Sequence, residues 1–395
     1  MCRLGRLGRL KRSMDFQLTD EHRMVQATVR EFARQEILPR AAALDHAPVF
    51  PSEIIQKAAA LGLMGMVIPE AYGGAGMDPV SYVVAQEELA RASAGVQTII
   101  TVNNSLVCDP IFHFGTEDQK RRYLPRLSSG ASLGCYCLTE PAYGSDAMSL
   151  RTDARREADQ WILRGTKAFV TNAVEADVCI VYARTGPEPG ARGISAFIVE
   201  KGFPGISVGK VEKKLGIKCS STAEIVLDGC RVPASNLLGE PGTGGKIALT
   251  TLDGGRLGIA AQAVGIARAA LDEATAYAAG RRQFGRSIGE FQAIQWMLAD
   301  MATRTDAARL LMLRAAYLRQ QGTRYTREAS MAKLFASETA MWVTHKAVQI
   351  FGGYGYIQDY PVERYFRDAK ITEIYEGTSE IQRVVIARHL LEGHA

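Results

Sequence analysis

Ile374-Tyr375-Glu376-Gly377-Thr378 sets one carboxylate between an aromatic residue and a glycine, just ahead of a helical pattern. A carboxylate on a tight, mostly apolar loop is placed like a general base for proton abstraction. Ser379-Glu380-Ile381-Gln382 has the spacing of a capping box, which predicts a helix from Ser379 to Leu391. By itself the segment also reads as a solvated loop, since most exposed carboxylates stand idle. A second stretch, Tyr136-Cys137-Leu138-Thr139-Glu140-Pro141-Ala142-Tyr143-Gly144-Ser145-Asp146, gathers small hydroxyl donors. Thr139, Ser145 and the backbone N–H groups around Gly144 suit an anionic or carbonyl-rich ligand. A third, Phe169-Val170-Thr171-Asn172, puts an aromatic ring and a hydroxyl on one face of a strand. They could flank a flat ring and donate to its edge. Taken singly, these two stretches read equally as turn chemistry or core packing.

The elements that must hold these residues follow from periodicity. Thr19 is a helix N-cap, with Asp20 and Glu21 in the first turn and Pro39 after the end near Leu38. Further helices are expected over Ser52–Leu61, Pro79–Ala92, Gln97–Phe114 and Glu117–Leu127. Tyr72-Gly73-Gly74-Ala75-Gly76 is a connecting turn. From about Leu133 the pattern turns to short apolar or alternating runs. Trp161–Val170 reads as two short strands around a turn, and Val178–Ala183, Ile194–Val199, Ile206–Val208 and Ala223–Leu227 as more strands. With no helix between them, they predict an antiparallel, barrel-like β-domain ending at Val232-Pro233. After Gly245 the chain is helical again. Leu257, Ala260, Val264, Ala267, Leu271 and Ala274 form one stripe, and Ala308, Leu311, Ala315 and Leu318 another. The fold class is therefore α+β. It has an N-terminal helical domain over 14–130, a middle β-domain over 131–240 and a C-terminal four-helix bundle over 241–395.

Several patterns drop out. Gly239-Glu240-Pro241-Gly242-Thr243-Gly244-Gly245-Lys246 fails the phosphate-loop frame, because Glu240 replaces its first glycine and Ile247 its Ser/Thr. Gly352-Gly353-Tyr354-Gly355 has Gln358 at the third glycine site of a dinucleotide fingerprint. No cysteine pair has CxxC spacing and no histidine pair has HExxH spacing, so no metal is expected. Cys135 and Cys137 read as packed thiols on one strand face, and the loosely spaced 7 cysteines suit a reducing compartment.

The 395 residues allow two or three domains. No apolar run reaches the ~18 residues of a membrane span. The net charge of +5 comes from Arg3, Arg6, Arg9, Lys11 and Arg12; without them 42 basic residues meet 42 acidic ones. A neutral body removes the global argument for nucleic-acid binding. Residues 1–13 are expected as a disordered basic extension upstream of Met14, with a transit peptide or a basic tail as the other readings.

Leu138-Thr139-Glu140-Pro141-Ala142-Tyr143-Gly144-Ser145-Asp146 and Gln349-Ile350-Phe351-Gly352-Gly353-Tyr354-Gly355-Tyr356, followed by Asp359, Arg364 and Asp368, are long and ordered motifs. Through them the chain resembles the acyl-CoA dehydrogenase family from about Met14 to Leu391. Leu252-Asp253-Gly254-Gly255-Arg256 and the run from Ile371 to Arg383 are most similar to its short-chain, butyryl-CoA members. The resemblance implies FAD and α,β-desaturation of an acyl-CoA thioester. Glu376 would remove the Cα proton, and a hydride would leave Cβ for the flavin. The thioester carbonyl would be polarised by a flavin ribityl hydroxyl and the backbone N–H of Glu376. Burial should raise the pKa of Glu376 and the nearby helix N-terminus should lower it.

Other roles are implied residue by residue. Thr139 and Ser145 would contact the flavin or its phosphates and Thr171 its reactive edge. Phe169 stands where many members carry tryptophan, and would pack on the ring. Tyr136, Leu138 and Gly144 fall within the same cofactor motif. Arg281 and Gln283 would reach the FAD of a neighbouring subunit, and Phe284 and Gln292 are further cofactor candidates. Gln349, Gly352, Gly353, Thr378 and Glu380 match the adenosine side. Ser145, Asp253, Arg256, Tyr375 and Gly377 would meet substrate. Gly255 occupies the position from which long-chain and isovaleryl-type members supply their base, leaving Glu376 as the candidate. Implied partners are an electron-transfer flavoprotein and further copies of the chain, as a homotetramer built as a dimer of dimers. The implied compartment is the bacterial cytoplasm, or the mitochondrial matrix if residues 1–13 belong to a transit peptide. The other readings are a branched-short-chain or biosynthetic dehydrogenase, an oxygen-using oxidase or monooxygenase of the same fold, and a flavin binder without turnover.

Overall fold

The computed structural model describes residues 17–392; the basic extension lies outside them. Helix α1 (Asp20–Phe32) starts where Thr19 Oγ1 accepts from the His22 amide at 3.2 Å, and His22 Nδ1 accepts the Thr19 amide in return. The helical path does not stop before Pro39, as the sequence suggests. It widens at Ala33–Ile37, where the Leu38 amide bonds to the Ala33 carbonyl, and tightens through Leu38–Arg40. It then continues as α2 (Ala41–His46). Pro39 sits in a first turn, where its missing N–H costs nothing. Helices α3 (Ser52–Ala60), α4 (Pro79–Ala92), α5 (Ala94–Thr101), α6 (Asp109–Phe114) and α7 (Glu117–Ser128) complete the first domain. A wide helical turn at Val102–Cys108 joins α5 to α6. Its buried Asn103 accepts from the Gly134 amide at 2.9 Å, fixing where the β-domain begins.

Strands β1 (Gly134–Cys137), β2 (Asp153–Glu157), β3 (Gln160–Thr171), β4 (Val178–Arg184), β5 (Ile194–Glu200), β6 (Ile206–Val211), β7 (Thr222–Pro233) and β8 (Leu237–Leu238) form one sheet. Its order is β6-β7-β3-β2-β4-β5-β8, with β1 alongside β4. Pairing is antiparallel except that β1 runs parallel to β4 and β2 touches β4 in parallel at Asp153–Arg184. The expected turn inside 161–170 is absent. β3 is one strand, because β7 pairs with it on both sides of Gly165 and absorbs the irregularity at Leu163/Arg164 as a bulge; a second break leaves Ala168 and Phe169 without β7 partners. The parallel register also sets Cys135 opposite Cys179, so three buried thiols meet rather than two. Cys135 Sγ lies 3.2 Å from Cys179 and 3.7 Å from Cys137.

Helix α8 (Gly244–Gly280) follows, then a short hairpin of β9 (Arg282–Gln283) and β10 (Arg286–Ser287). Helices α9 (Gln292–Gln320), α10 (Thr326–Phe351), α11 (Val362–Ile371) and α12 (Ser379–Leu391) end the chain. α8, α9 and α10 pack side by side, α11 closes on α8 and α10, and α12 lies along α10. Buried Ala260, Ala263, Ala267 and Ala270 of α8 meet Ala332, Ala336 and Ala340 of α10, small residues that let the axes approach. The same core takes in Val83 and Leu89 of α4, so the first and last domains share one interior. A separate core, including Leu163, Val181, Phe197 and Ile225, fills the β-domain. α12 spans the residues expected from the sequence, but its cap differs. Thr378, not Ser379, is the cap, its hydroxyl accepting from the Ile381 amide at 3.3 Å.

Candidate active site

Glu376 is held on an uncommon backbone. It has φ +54° and Gly377 φ +93°, two consecutive left-handed residues between α11 and α12. A non-glycine residue in this region costs of order 1–3 kcal/mol and persists only where its surroundings hold it. Here Gln382 Nε2 donates to the carbonyls of Glu376 and Gly377 at 3.2 and 2.9 Å, and Lys333 Nζ donates to Gly377 O at 2.7 Å. On the other flank the Tyr375 hydroxyl donates to Gln262, whose amide in turn reaches Ala94 O and Thr98 Oγ1. Helices α8, α10 and α12, with α5 behind α8, therefore fix one turn.

The carboxylate this turn presents is half-buried as a residue, yet its Oε2 is shut from solvent and lacks a hydrogen-bond partner. It points at Gly255 of α8. A Cβ there would overlap Oε2 and stand 2.9 Å from Cδ and 3.1 Å from Leu106. Burial, the largest influence, pushes the carboxyl up to about 7, with Lys333 and Arg256 pulling the other way. Of the two influences expected from the sequence, burial and the helix N-terminus, burial therefore prevails. A carboxyl that titrates near neutrality is matched to removing protons at physiological pH.

Half-buried Asp253 lies against buried Arg256. The aspartate pairs with the Arg256 guanidinium and accepts from Thr326 Oγ1 at 2.6 Å. Both of its carboxylate oxygens therefore have partners within the protein. The Arg256 charge acts on Glu376, while its Nε has no partner.

The middle domain brings its own candidates together. The Ala168 amide donates to Thr139 O at 2.9 Å, joining β3 to the segment after β1. Beneath it, buried Lys167 reaches Glu140 Oε1 at 2.8 Å and Leu138 O at 3.2 Å, and Glu140 also accepts the Arg151 and Thr152 amides. Burial opposes the Glu140 charge, but Lys167 and these amides hold its carboxyl below the usual range. Above this anchor β3 slips register, and Phe169 at φ +55° turns outward, 66% exposed. Thr171 is half-buried two residues on, Ser145 is exposed, and Gly144 has open space where a side chain would stand. Leu138 is buried and serves the core. Tyr136 packs on Tyr182, its hydroxyl unpaired and close enough to feel the Glu376 charge. An exposed phenyl, nearby hydroxyls and an open glycine suit a flat, polar-edged ring such as that of FAD.

The remaining candidates lie elsewhere. Arg281, Gln283, Gly352 and Gly353 line one open cleft, with Arg281 over the Tyr354 ring. Phe284, Gln292 and Gln349 are exposed around it. Gln349 is sixteen residues beyond Lys333 on α10, or about 24 Å at ~1.5 Å per residue. The structure therefore does not unite these residues with Glu376 within one protomer. Thr378 is engaged as the helix cap, and Glu380 is exposed beside it. Sequence reading missed Lys333, Gln382 and Gln262. For Lys333 a sign existed: a cation on the stripe of Ala329, Ala332 and Ala336.

The sequence matches the acyl-CoA dehydrogenase N-terminal domain over residues 19–131, the middle domain over 135–230 and the C-terminal domain over 242–391. It is 51% identical to a short-chain specific acyl-CoA dehydrogenase of Clostridium acetobutylicum, over 95% of this chain and 99% of the relative. The fold is similar to butyryl-CoA dehydrogenase from Megasphaera elsdenii, with a TM-score of 0.94 and 46% identity over 96% of this chain and 100% of the other. A chain in a structure of the electron transferring flavoprotein of Acidaminococcus fermentans also gives a TM-score of 0.94, with 49% identity over 96% of this chain and 100% of that one. By its three consecutive domains, its sequence and its fold, the chain belongs to the acyl-CoA dehydrogenase family.

Proposed function

We propose that this protein desaturates short-chain acyl-CoA thioesters to trans-2-enoyl-CoA, with Glu376 as the base. The observation that carries the reading is the Glu376 carboxylate. Its Oε2 is shut from water, lacks a partner and faces Gly255 of α8, which leaves it room, and the carboxyl titrates at about 7. Bound FAD supplies the acceptor for the hydride that leaves Cβ. Phe169 and Thr171 would hold its ring, with Thr139 and Ser145 beside them. The protein's own part is proton chemistry. Glu376 takes the proton from Cα as the electron pair moves toward the carbonyl, and the Glu376 N–H supports the charge on that oxygen. As the hydride leaves, the pair closes the Cα–Cβ double bond. Closing the site against water strengthens both effects.

The short-chain assignment is supported by the similarity to short-chain specific and butyryl-CoA enzymes. The electron acceptor we propose is an electron-transfer flavoprotein, and the compartment the bacterial cytoplasm. Among the described residues no helix is long and apolar enough to cross a membrane. The working form is a homotetramer in which Arg281, Gln283, Phe284 and Gln292 approach the neighbouring subunit's cofactor, while Gln349, Gly352 and Gly353 serve its adenosine side.

Anaerobic titration of the FAD-loaded protein with butyryl-CoA tests the reading. Bleaching of the flavin band with release of crotonyl-CoA is expected. Absence of bleaching with every acyl-CoA from butyryl to dodecanoyl, straight or branched, would remove the assignment, and hydrogen peroxide formed in air would turn it toward an oxidase.

A further inference from the structure

One buried charge has no part in the chemistry so far. Lys333 lies on the inner stripe of α10 with Ala329, Ala332, Ala336 and Ala340, and is 0% exposed. An ammonium is tolerated in such a place only if it is well paired. Its hydrogen-bond partner is a peptide carbonyl, Gly377 O at 2.7 Å, and not a carboxylate. That carbonyl belongs to the left-handed pair carrying Glu376. We propose that Lys333 is a positioning residue for the dehydrogenation: from α10 it clamps the Gly377 carbonyl, and its charge keeps the Glu376 carboxylate available as a base. The inference rests on the reading of Glu376 given above.

Two observations support it independently. The first is mechanical. Left-handed backbone at a non-glycine residue relaxes unless held, and α10 and α12 supply the holding groups, Lys333 and Gln382. The second is electrostatic. The charges facing Glu376 are Lys333 from α10 and Arg256 from α8. Arg256 is already paired with Asp253 on its own helix, and the pair also senses Tyr325. Tyr82 of α4, Tyr136 of β1 and Tyr375 complete the surroundings, and burial keeps all three phenols protonated. Glu373 and Glu380 act on Lys333 from farther along the chain. Among the described residues, Lys333 is therefore the cation acting on Glu376 without a carboxylate in contact. Burial brings its own pKa down to about 8. At the midpoint of the Glu376 titration most Lys333 side chains therefore still carry the charge.

The test separates base from hydride acceptor. An acyl-CoA with sulfur in place of Cβ cannot yield a hydride but keeps its α-protons, so their exchange into D2O reports the base alone. Exchange is followed by NMR against pH in FAD-loaded parent, Lys333→Gln, Lys333→Met and Glu376→Gln. Glutamine retains a donor for Gly377 O without the charge, and methionine removes both. In Lys333→Gln the exchange midpoint should rise by about 1–3 pH units, the usual effect of losing a nearby opposite charge, with the alkaline plateau kept. In Lys333→Met the midpoint should rise and the plateau should also fall, by about 10². A midpoint unmoved in Lys333→Gln overturns the proposal, as does a uniform loss of rate at every pH. Lys333→Gln decides the matter even if Lys333→Met does not assemble. Parental exchange in Glu376→Gln would instead remove the base itself, and with it the functional reading.

Discussion

Glu376 concentrates burial, backbone strain and an unpaired oxygen at one residue, and each makes its own prediction. Glu376→Gln keeps size and loses the basic site. It should retain FAD, measured by the flavin band per protomer, while turnover with butyryl-CoA falls by at least about 10²–10⁴. Retained turnover would place the base elsewhere. The same substitution bears on stability, because the carboxyl titrates at about 7 in the fold against 4.5 in the reference state. Between these values the folded protein binds more protons than the unfolded one, so stability falls as pH rises through the window. The penalty is absent below about 4.5, grows up to about 7 and is full above it. Glu376→Gln removes it. The melting temperature of the variant should exceed that of the parent at pH above about 7 and converge with it near pH 4.5. A constant difference across that range would show that the carboxyl does not titrate as the geometry implies.

At the scale of elements, function depends on helices and strands brought close by their small residues. Gly255 on α8 is the clearest case, since a side chain there overlaps the Glu376 carboxylate. Gly255→Ala should leave FAD content unchanged and cut the butyryl-CoA turnover number by about 10², the loss expected from displacing a reacting group by ~1 Å. Parental turnover would mean that the loop has room to yield. The β-domain offers a parallel test. Lys167→Met strands Glu140 beneath the Leu138–Glu140 segment, and breaking a buried pair costs about 3–5 kcal/mol. Lower melting temperature and weaker FAD retention should appear together. Unchanged retention would uncouple the anchor from the cofactor surface. These contacts also mark what was legible in the sequence. Thr139, Phe169, Thr171 and Glu376 stand in continuous motifs whose local order carries their meaning. Lys333 and Gln262 act across 44 and 113 residues of chain, and α10 discloses its buried lysine only when packed; Gln382 lies within a motif, but its bonds to the Glu376 and Gly377 carbonyls depend on the left-handed turn. β3 differs from its expected pair of strands because its glycine is absorbed by pairing with β7, and the helix runs past Pro39 because that proline opens a helical turn instead of closing one.

At the scale of the molecule, one protomer is incomplete by its own dimensions. The cleft of Arg281, Gln283, Gly352 and Gly353 lies near the far end of α10 from the contact between Lys333 and the Glu376 loop. Both sets can serve one cofactor only if a second copy brings its cleft to the first copy's β-domain. The exposed surface agrees with that arrangement. Phe284 is 93% exposed on left-handed backbone, Tyr356 is 88% exposed and Trp296 65%. A large aromatic residue left in water on a strained turn points to a covering surface. Phe284→Asp should therefore weaken assembly and cofactor retention together. Mass measured in solution should fall below that of the tetramer, and the flavin band per protomer should decline on dilution more steeply than in the parent. Far-UV circular dichroism should stay unchanged, because Phe284 contributes to no core of its own subunit. A variant that keeps parental mass and parental FAD would show that the cleft does not face a second copy, and would return Arg281 and Gln283 to the role of surface residues.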